Sequence, residues 1–165
     1  MRMPQNKQQI ELKSQVLKIF MEYLEQNELR KTPERFAILD EIYTGKGHFD
    51  VEQLYEKMKE RKYTVSRATV YNTLDLLLAC NLVIKHQFGA SQAVFEKAHG
   101  FKQHDHLICN KCNNILEFCD PRIQQIQNMM GDLLKFNINS HSLYLYGDPE
   151  CNKEGSCKTC GKKVK

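Results

Sequence analysis

No apolar run in the chain approaches the roughly 18 residues that a membrane-spanning helix needs, so no membrane partner is expected. The first residues, Met1 to Glu11, lack the apolar core of a secretion signal, which predicts a cytoplasmic protein. Charge of one dominant sign is also missing: 24 Lys and Arg face 20 Asp and Glu, a net +4. The excess divides about evenly between the two halves, so neither is a basic tail, and nucleic-acid binding is permitted without being demanded. Enzyme signatures are absent too. No His-Glu-x-x-His lies on a helical stretch, and no His-x-Glu accompanies a Pro-Cys-x-x-Cys. A zinc-dependent hydrolase, the rival from a different class, thereby loses its usual markers, and no enzymatic activity is expected. The Cys-x-x-Cys pairs lack the β-α-β surroundings of a thiol oxidoreductase.

What the chain does have is sulfur and imidazole in patterns that suit metal. Among its 165 residues are seven cysteines, an odd number. Four of them form two Cys-x-x-Cys pairs, Cys109/Cys112 and Cys157/Cys160, each able to put two thiolates on one side of a tight turn. Together they supply the tetrahedral sulfur set of a closed structural Zn²⁺ site that would staple a whole subdomain. Cys151 competes for a place, and Cys151 with Cys157 is the alternative to Cys157 with Cys160. Cys80 and Cys119 read as small buried hydrophobes.

In the first half, Leu12, Val16, Leu17, Phe20, Tyr23 and Leu24 recur at helical spacing. Thr32-Pro33 opens a second helix as N-cap and first-turn proline. Asp50 with Gln53 reads as a capping box for a third. Ser66 caps a fourth, in which Val70, Leu74, Leu77 and Leu78 are apolar while Arg67, Thr69, Asn72 and Thr73 stay polar. Helices three and four form a helix-turn-helix, the fourth with side chains able to meet base edges, thymine methyls and phosphates. Residues Leu82 to Phe88 and Gln92 to Glu96 flank Gly89-Ala90-Ser91 as a hairpin, the wing. The expected DNA contacts are Arg35, Ser66, Arg67, Thr69, Tyr71 and Asn72.

In the second half, a strand through His104 to Cys109 puts His104 and His106 on one face and Asp105, Leu107 and Cys109 on the other. Imidazoles and thiolates then belong to different sites. Ile115 to Phe118 is the return strand, with Glu117 in reach of the histidine face. Pro121 opens an amphipathic helix through Ile123, Ile126, Met129, Met130 and Leu133, and Ile138 and Leu143 to Tyr146 form the last strands. His86 and His99 read as structural or solvated. His48, in a helix-helix link, differs: with Glu96 at the end of the wing it could close on the His104/His106 face.

Leu29-Arg30-Lys31-Thr32-Pro33-Glu34-Arg35, Ser66-Arg67-Ala68-Thr69-Val70-Tyr71-Asn72-Thr73-Leu74, Val94-Phe95-Glu96, His104-Asp105-His106-Leu107-Ile108-Cys109-Asn110-Lys111-Cys112 and His141-Ser142-Leu143-Tyr144-Leu145-Tyr146-Gly147 stand in this order along the chain. Together they resemble the ferric uptake regulator (Fur) family of bacterial metal-dependent repressors. The resemblance implies an α+β chain: a winged helix-turn-helix DNA-binding domain over 1–96, a hinge over 97–103, and a small α/β dimerisation domain over 104–165 with the structural zinc. It implies a homodimer on double-stranded DNA, an A/T-rich palindromic operator, and a regulatory metal at His48, Glu96, His104, His106 and Glu117. The expected effector is Fe²⁺, with Mn²⁺ or Zn²⁺ as alternatives. Peroxide sensing and zinc sensing are the alternatives within the family; the peroxide-sensing branch tends to carry Asp where this chain has Glu117, which favours iron. A further family site would fall near Gln103, Asp105, Gln124 and His141, two of which are amides here.

Overall fold

A computed structural model describes residues 5–88, 93–100 and 103–148, and the chain divides into two compact units between residues 101 and 102. The architecture is α+β. Among the described residues no helix is long and apolar enough to cross a membrane.

The first unit is built on four helices: α1 (Gln5–Gln26), α2 (Pro33–Thr44), α3 (Val51–Glu60) and α4 (Arg67–Ala79). Val16, Phe20 and Leu24, one helical turn apart, form the buried stripe of α1, whereas Leu17 is 39% exposed and lies off that stripe. Burying a side chain such as Phe20 contributes about 1.5–3 kcal/mol. Pro33 starts α2 at the position where a missing N–H costs nothing, but the Thr32 side chain makes no capping bond. The expected capping box does form on α3: Asp50 accepts from the Gln53 N–H at 2.7 Å and the Gln53 side chain reaches back to the Asp50 N–H. Ser66 caps α4 by accepting from Thr69 N–H. Asn81, at φ 54°, takes the left-handed turn after α4, where a short polar side chain is tolerated. Leu82 N–H then bonds Leu77 O at 2.8 Å, and the chain passes directly into a strand.

That strand, β1 (Val83–His86), pairs antiparallel with β2 (Val94–Lys97) in the register Val83↔Lys97, Ile84↔Glu96, Lys85↔Phe95, His86↔Val94. The wing strands are shorter than the sequence pattern suggests, and Gly89 to Gln92 at the tip lie outside the described residues. Phe49 adds a bridge to Phe95, with N–H···O bonds of 2.9 and 2.8 Å and stacked rings. The wing's base is tied to α2 as well: buried Tyr43 donates its hydroxyl to Leu82 O at 2.7 Å and accepts from His99 N–H.

The second unit is a three-stranded sheet and a helix. In it β3 (Asp105–Cys109) lies between β4 (Ile115–Phe118), antiparallel to it, and β5 (Tyr144–Gly147), parallel to it; α5 (Pro121–Leu134) comes between β4 and β5 in the chain. Asp120 caps α5 through Arg122 N–H, and Pro121 occupies the first turn. Gly131 is required by close approach: a Cβ there would stand 2.9 Å from Phe136 O. Ile138, expected in a strand, lies in irregular chain, leaving a single terminal strand. No residue of α5 is buried. Its stripe of Ile126, Met129 and Leu133 is 55–70% exposed.

Candidate metal centre and nucleic-acid interface

The helix-turn-helix presents the outer face of α4. Arg67, Ala68, Tyr71, Asn72 and Asp75 are exposed, a stripe generated by i, i+4 spacing, and Thr69 is half-buried. Thr73 does not belong to that face: it is 1% exposed, and its hydroxyl donates back to Thr69 O at 2.7 Å. Its position three residues after Val70 and four before Leu77 puts it in the apolar stripe, and satisfying its hydroxyl locally makes the burial cheap.

Arg67 is already engaged. Its guanidinium is bidentate on Glu52, with Nε–Oε1 and Nη2–Oε2 both 2.9 Å, and lies 4.3 Å from the Tyr55 ring centroid. The guanidinium holds the Glu52 carboxyl below the usual carboxylate range. Arg67 therefore fixes α4 against α3, while Tyr71 and Asn72 are the side chains that project without such a tie. Arg35, half-buried on α2, turns a guanidinium N–H to Arg30 O.

On one face of the wing a second kind of chemistry gathers. Ladder register places Ile84 and Glu96 opposite each other, with His86 and Val94 next along the same face, so His86 and Glu96 are diagonal neighbours. Gly47, at φ 65°, turns the chain after α2, and the Phe49–Phe95 bridge then sends Phe49 to the core and leaves His48 beside Glu96. His48 Nε2 is 3.2 Å from one Glu96 oxygen, and His86 Nε2 is 2.7 Å from the other. All of this is close to dry: His86 is 6% and Glu96 8% exposed, and Phe88 stacks on the His86 ring at 5.4 Å. His86 was expected to be merely structural or solvated. Its membership depends on hairpin register, which no local pattern around His86 records.

The second unit carries its own set. His106 is paired across the ladder with Glu117, His104 Nε2 lies 3.9 Å from Glu117 Oε2, and the His104 and His106 rings are 4.8 Å apart. His104 stands just before β3 rather than within it. On the opposite side of the strand Asp105 pairs with His141 at 3.2 Å, and His141 Nδ1 lies 2.8 Å from Gln127 Oε1. Gln103 donates its side-chain amide to His141 O, and Gln124 to Asn128 along α5. Two amides thus make ordinary hydrogen bonds at positions where the family pattern would offer ligands.

Period two along β3 sends Cys109 to the side opposite His106. The Cys109–Cys112 turn is closed by Asn113 N–H to Cys109 O at 2.9 Å, and the N–H groups of Lys111 and Cys112 both point at Cys109 Sγ at 3.4 Å. Two N–H donors converging on one sulfur are the backbone arrangement of a Cys-x-x-Cys turn that can present both sulfurs to a zinc ion. Cys151, Cys157 and Cys160 lie outside the described residues. Cys80 is half-buried, with burial pushing its thiol up, whereas Cys119 is exposed and not the buried hydrophobe expected. The donor chemistry fits the two implied metals: sulfur for Zn²⁺, mixed imidazole and carboxylate for a divalent first-row ion.

Comparison with known proteins points the same way. The "Ferric uptake regulation protein" of Vibrio cholerae is 34% identical over 131 residues, covering 79% of this chain and 85% of the relative. That of Campylobacter jejuni is 34% identical over 142 residues, covering 84% and 90%. Among solved structures, the ferric uptake regulator of Pseudomonas aeruginosa with manganese superposes with a TM-score of 0.69 at 30% identity, covering 77% of this chain and 95% of that one. The profile of the ferric uptake regulator family matches residues 26–146, and the chain belongs to that family.

Proposed function

We propose that the protein is a cytoplasmic, metal-responsive transcriptional repressor that binds an A/T-rich palindromic DNA operator as a homodimer and senses Fe²⁺ to control iron-uptake genes. The observation that carries this reading is a buried imidazole–carboxylate cluster on the wing of the same unit that exposes a capped helix-turn-helix. The roles follow the sequence order. The unit over 1–96 reads DNA through Tyr71, Asn72 and Thr69, with Arg67, Ser66 and Arg35 holding or contacting the backbone, and 97–103 acts as the hinge. The unit over 104–165 dimerises. The exposed Ile126, Met129 and Leu133 stripe is what a second copy would cover.

His48 and Glu96 from the first unit, with His104, His106 and Glu117 from the second, are assigned to the regulatory ion; Cys109, Cys112, Cys157 and Cys160 are assigned to structural Zn²⁺. When bound, the ion would supply positive charge to be shared by the imidazoles and carboxylates assigned to it. The chain's own residues do the rest: Phe88 keeps water from His86 and Glu96, and the Phe49–Phe95 bridge transmits the position of Glu96 to the core under α4. Two recognition helices must stand about one DNA turn apart, on the order of 34 Å, to meet both half-sites. Moving a dimer from 1:99 to 99:1 in favour of that spacing takes roughly 5.5 kcal/mol of differential ion affinity. Glu117, one methylene longer than Asp, supports iron over peroxide sensing, as do the ferric-uptake names of the Vibrio and Campylobacter relatives.

The test is fluorescence anisotropy of a labelled palindromic A/T-rich duplex under anaerobic conditions, with Fe²⁺ or Mn²⁺ and with chelator. Metal is expected to tighten binding at least tenfold in the parent and not in His106→Ala. Equal binding with and without metal refutes the mechanism.

A further inference from the structure

His86 belongs to none of the ligand assignments above, yet its geometry is that of a ligand. It is the last residue of β1, 6% exposed, with its ring clamped nearly parallel to Phe88 at an interplanar angle of 4°. Nε2 of His86 and Nε2 of His48 approach the two separate oxygens of Glu96, at 2.7 and 3.2 Å. One ligand atom from each of the three residues lies within 4.8 Å of the others. A cation held at about 2.1 Å spans ligand atoms roughly 3–4 Å apart, so these three need only small side-chain rotations to share one. Two imidazoles and one carboxylate form the donor set that suits Fe²⁺, Mn²⁺, Co²⁺ or Zn²⁺ and leaves further positions open.

We propose that His86 is a metal ligand and that His48, His86 and Glu96 form a divalent-cation site carried wholly by the winged unit. The ladder explains how one hairpin does this. His86 and Glu96 are diagonal on the same face, and the Phe49–Phe95 bridge brings His48 to that face as if from a third strand. The winged unit then captures the ion first, and ligands of the second unit complete a site that is already loaded. The proposal rests on the metal-sensing reading above and deepens it by naming the order of capture.

The competing role for His86 is to orient Glu96 by a hydrogen bond without touching the ion. Loss of such an outer partner costs about 10–100-fold in metal affinity, and a glutamine that can still donate restores part of it. The experiment uses the full chain with zinc retained and Mn²⁺ alone as the probe, since Mn²⁺ avoids thiolate sites. In a His104→Ala, His106→Ala, Glu117→Gln variant, a Mn²⁺ titration followed by electron paramagnetic resonance is expected to find one ion still bound. Adding His86→Gln is expected to weaken it more than about a hundredfold, beyond what an outer hydrogen bond carries. Electron spin echo measurements on the triple variant are expected to count two coordinated imidazole nitrogens, falling to one with His86→Gln. Absence of Mn²⁺ from a folded triple variant, or an unchanged nitrogen count on adding His86→Gln, overturns the proposal. If the triple variant does not fold, the same count in the otherwise unmodified chain with and without His86→Gln decides: a drop by one supports the ligand role and no change refutes it. Metal-dependent duplex binding by the parent is scored separately, so failure of the sensing reading and failure of this one are distinguishable.

Discussion

Replacing Tyr43 by Phe removes one oxygen from the base of the wing, and the structure sets the size of the effect at two pH values. The side chain is 2% exposed; its hydroxyl donates to Leu82 O and accepts from His99 N–H, joining α2 to the beginning of β1 and the end of β2. Leu82 O keeps a second donor in Ala98 N–H at 3.1 Å, so the deletion leaves no orphaned carbonyl. Near neutral pH the cost should be about 1 kcal/mol, the net worth of one buried hydrogen bond. At alkaline pH the sign reverses. Burial pushes the Tyr43 hydroxyl up from 10.0 to about 12, opposed by the His99 N–H. Below pH 10 both folded and unfolded chains keep the proton. Between pH 10 and 12 only the unfolded chain releases it, so the parent loses stability as pH rises, by about 3 kcal/mol in all at 1.4 kcal/mol per unit. The Phe variant has nothing to ionise there. Guanidinium unfolding of parent and variant, taken as a difference at each pH, cancels the lysines and thiols that titrate in both. The parent is expected to be more stable by about 1 kcal/mol at pH 8 and less stable than the variant at pH 12. Parallel curves from pH 8 to 12 would refute the assignment of a buried, protonated phenol at the wing's base.

Three further outcomes follow from named contacts. Asp50→Ala removes the side-chain acceptor for the Gln53 N–H while leaving the Asp50 N–H to Gln53 bond in place, and should cost about 1 kcal/mol in thermal or chemical unfolding, with Asp50→Ser recovering most of it. Asn72→Ala and Tyr71→Ala remove exposed side chains from α4; each should weaken operator binding about tenfold or more while leaving the melting temperature unchanged, whereas Arg67→Ala should also loosen the α3–α4 packing seen by hydrogen exchange. Asp120 is held at about 2 by the Arg122 guanidinium and N–H. Asp120→Asn should therefore destabilise the chain above about pH 4 and have progressively less effect as acid unfolding proceeds towards pH 2, because the pair's contribution fades as the parent carboxylate protonates.

Local chemistry and both hairpins, including Glu117 opposite the histidine face, were legible in the sequence, and the residue-by-residue register of the wing was not. Asp50 with Gln53 and Ser66 before Arg67 name their helices because capping is decided within four residues. Alternation along Asp105 to Cys109 correctly separates His106 from Cys109, since strand period is local too. Thr73 was misread from its chemical type although its spacing from Val70 and Leu77 already placed it inside. Leu17 erred the other way, an apolar residue on the flank of a stripe defined by Val16 and Phe20. His86 escaped because its meaning lies in the offset of a hairpin, and that offset is set by pairing with β2 and not by its neighbours. The stripe on α5 is plain in the sequence, but its exposure is not, because helical spacing predicts an apolar face and the structure leaves that face uncovered by its own sheet.

Linkage offers the most direct test of the central claim, that metal and operator favour the same state of one protein. If metal tightens operator binding by a given factor, operator must tighten metal binding by the same factor. Mn²⁺ affinity measured by electron paramagnetic resonance, with and without saturating palindromic duplex, is expected to rise by the factor that Mn²⁺ confers on duplex affinity, and to show no rise in His106→Ala. A Mn²⁺ affinity indifferent to the duplex would contradict the account.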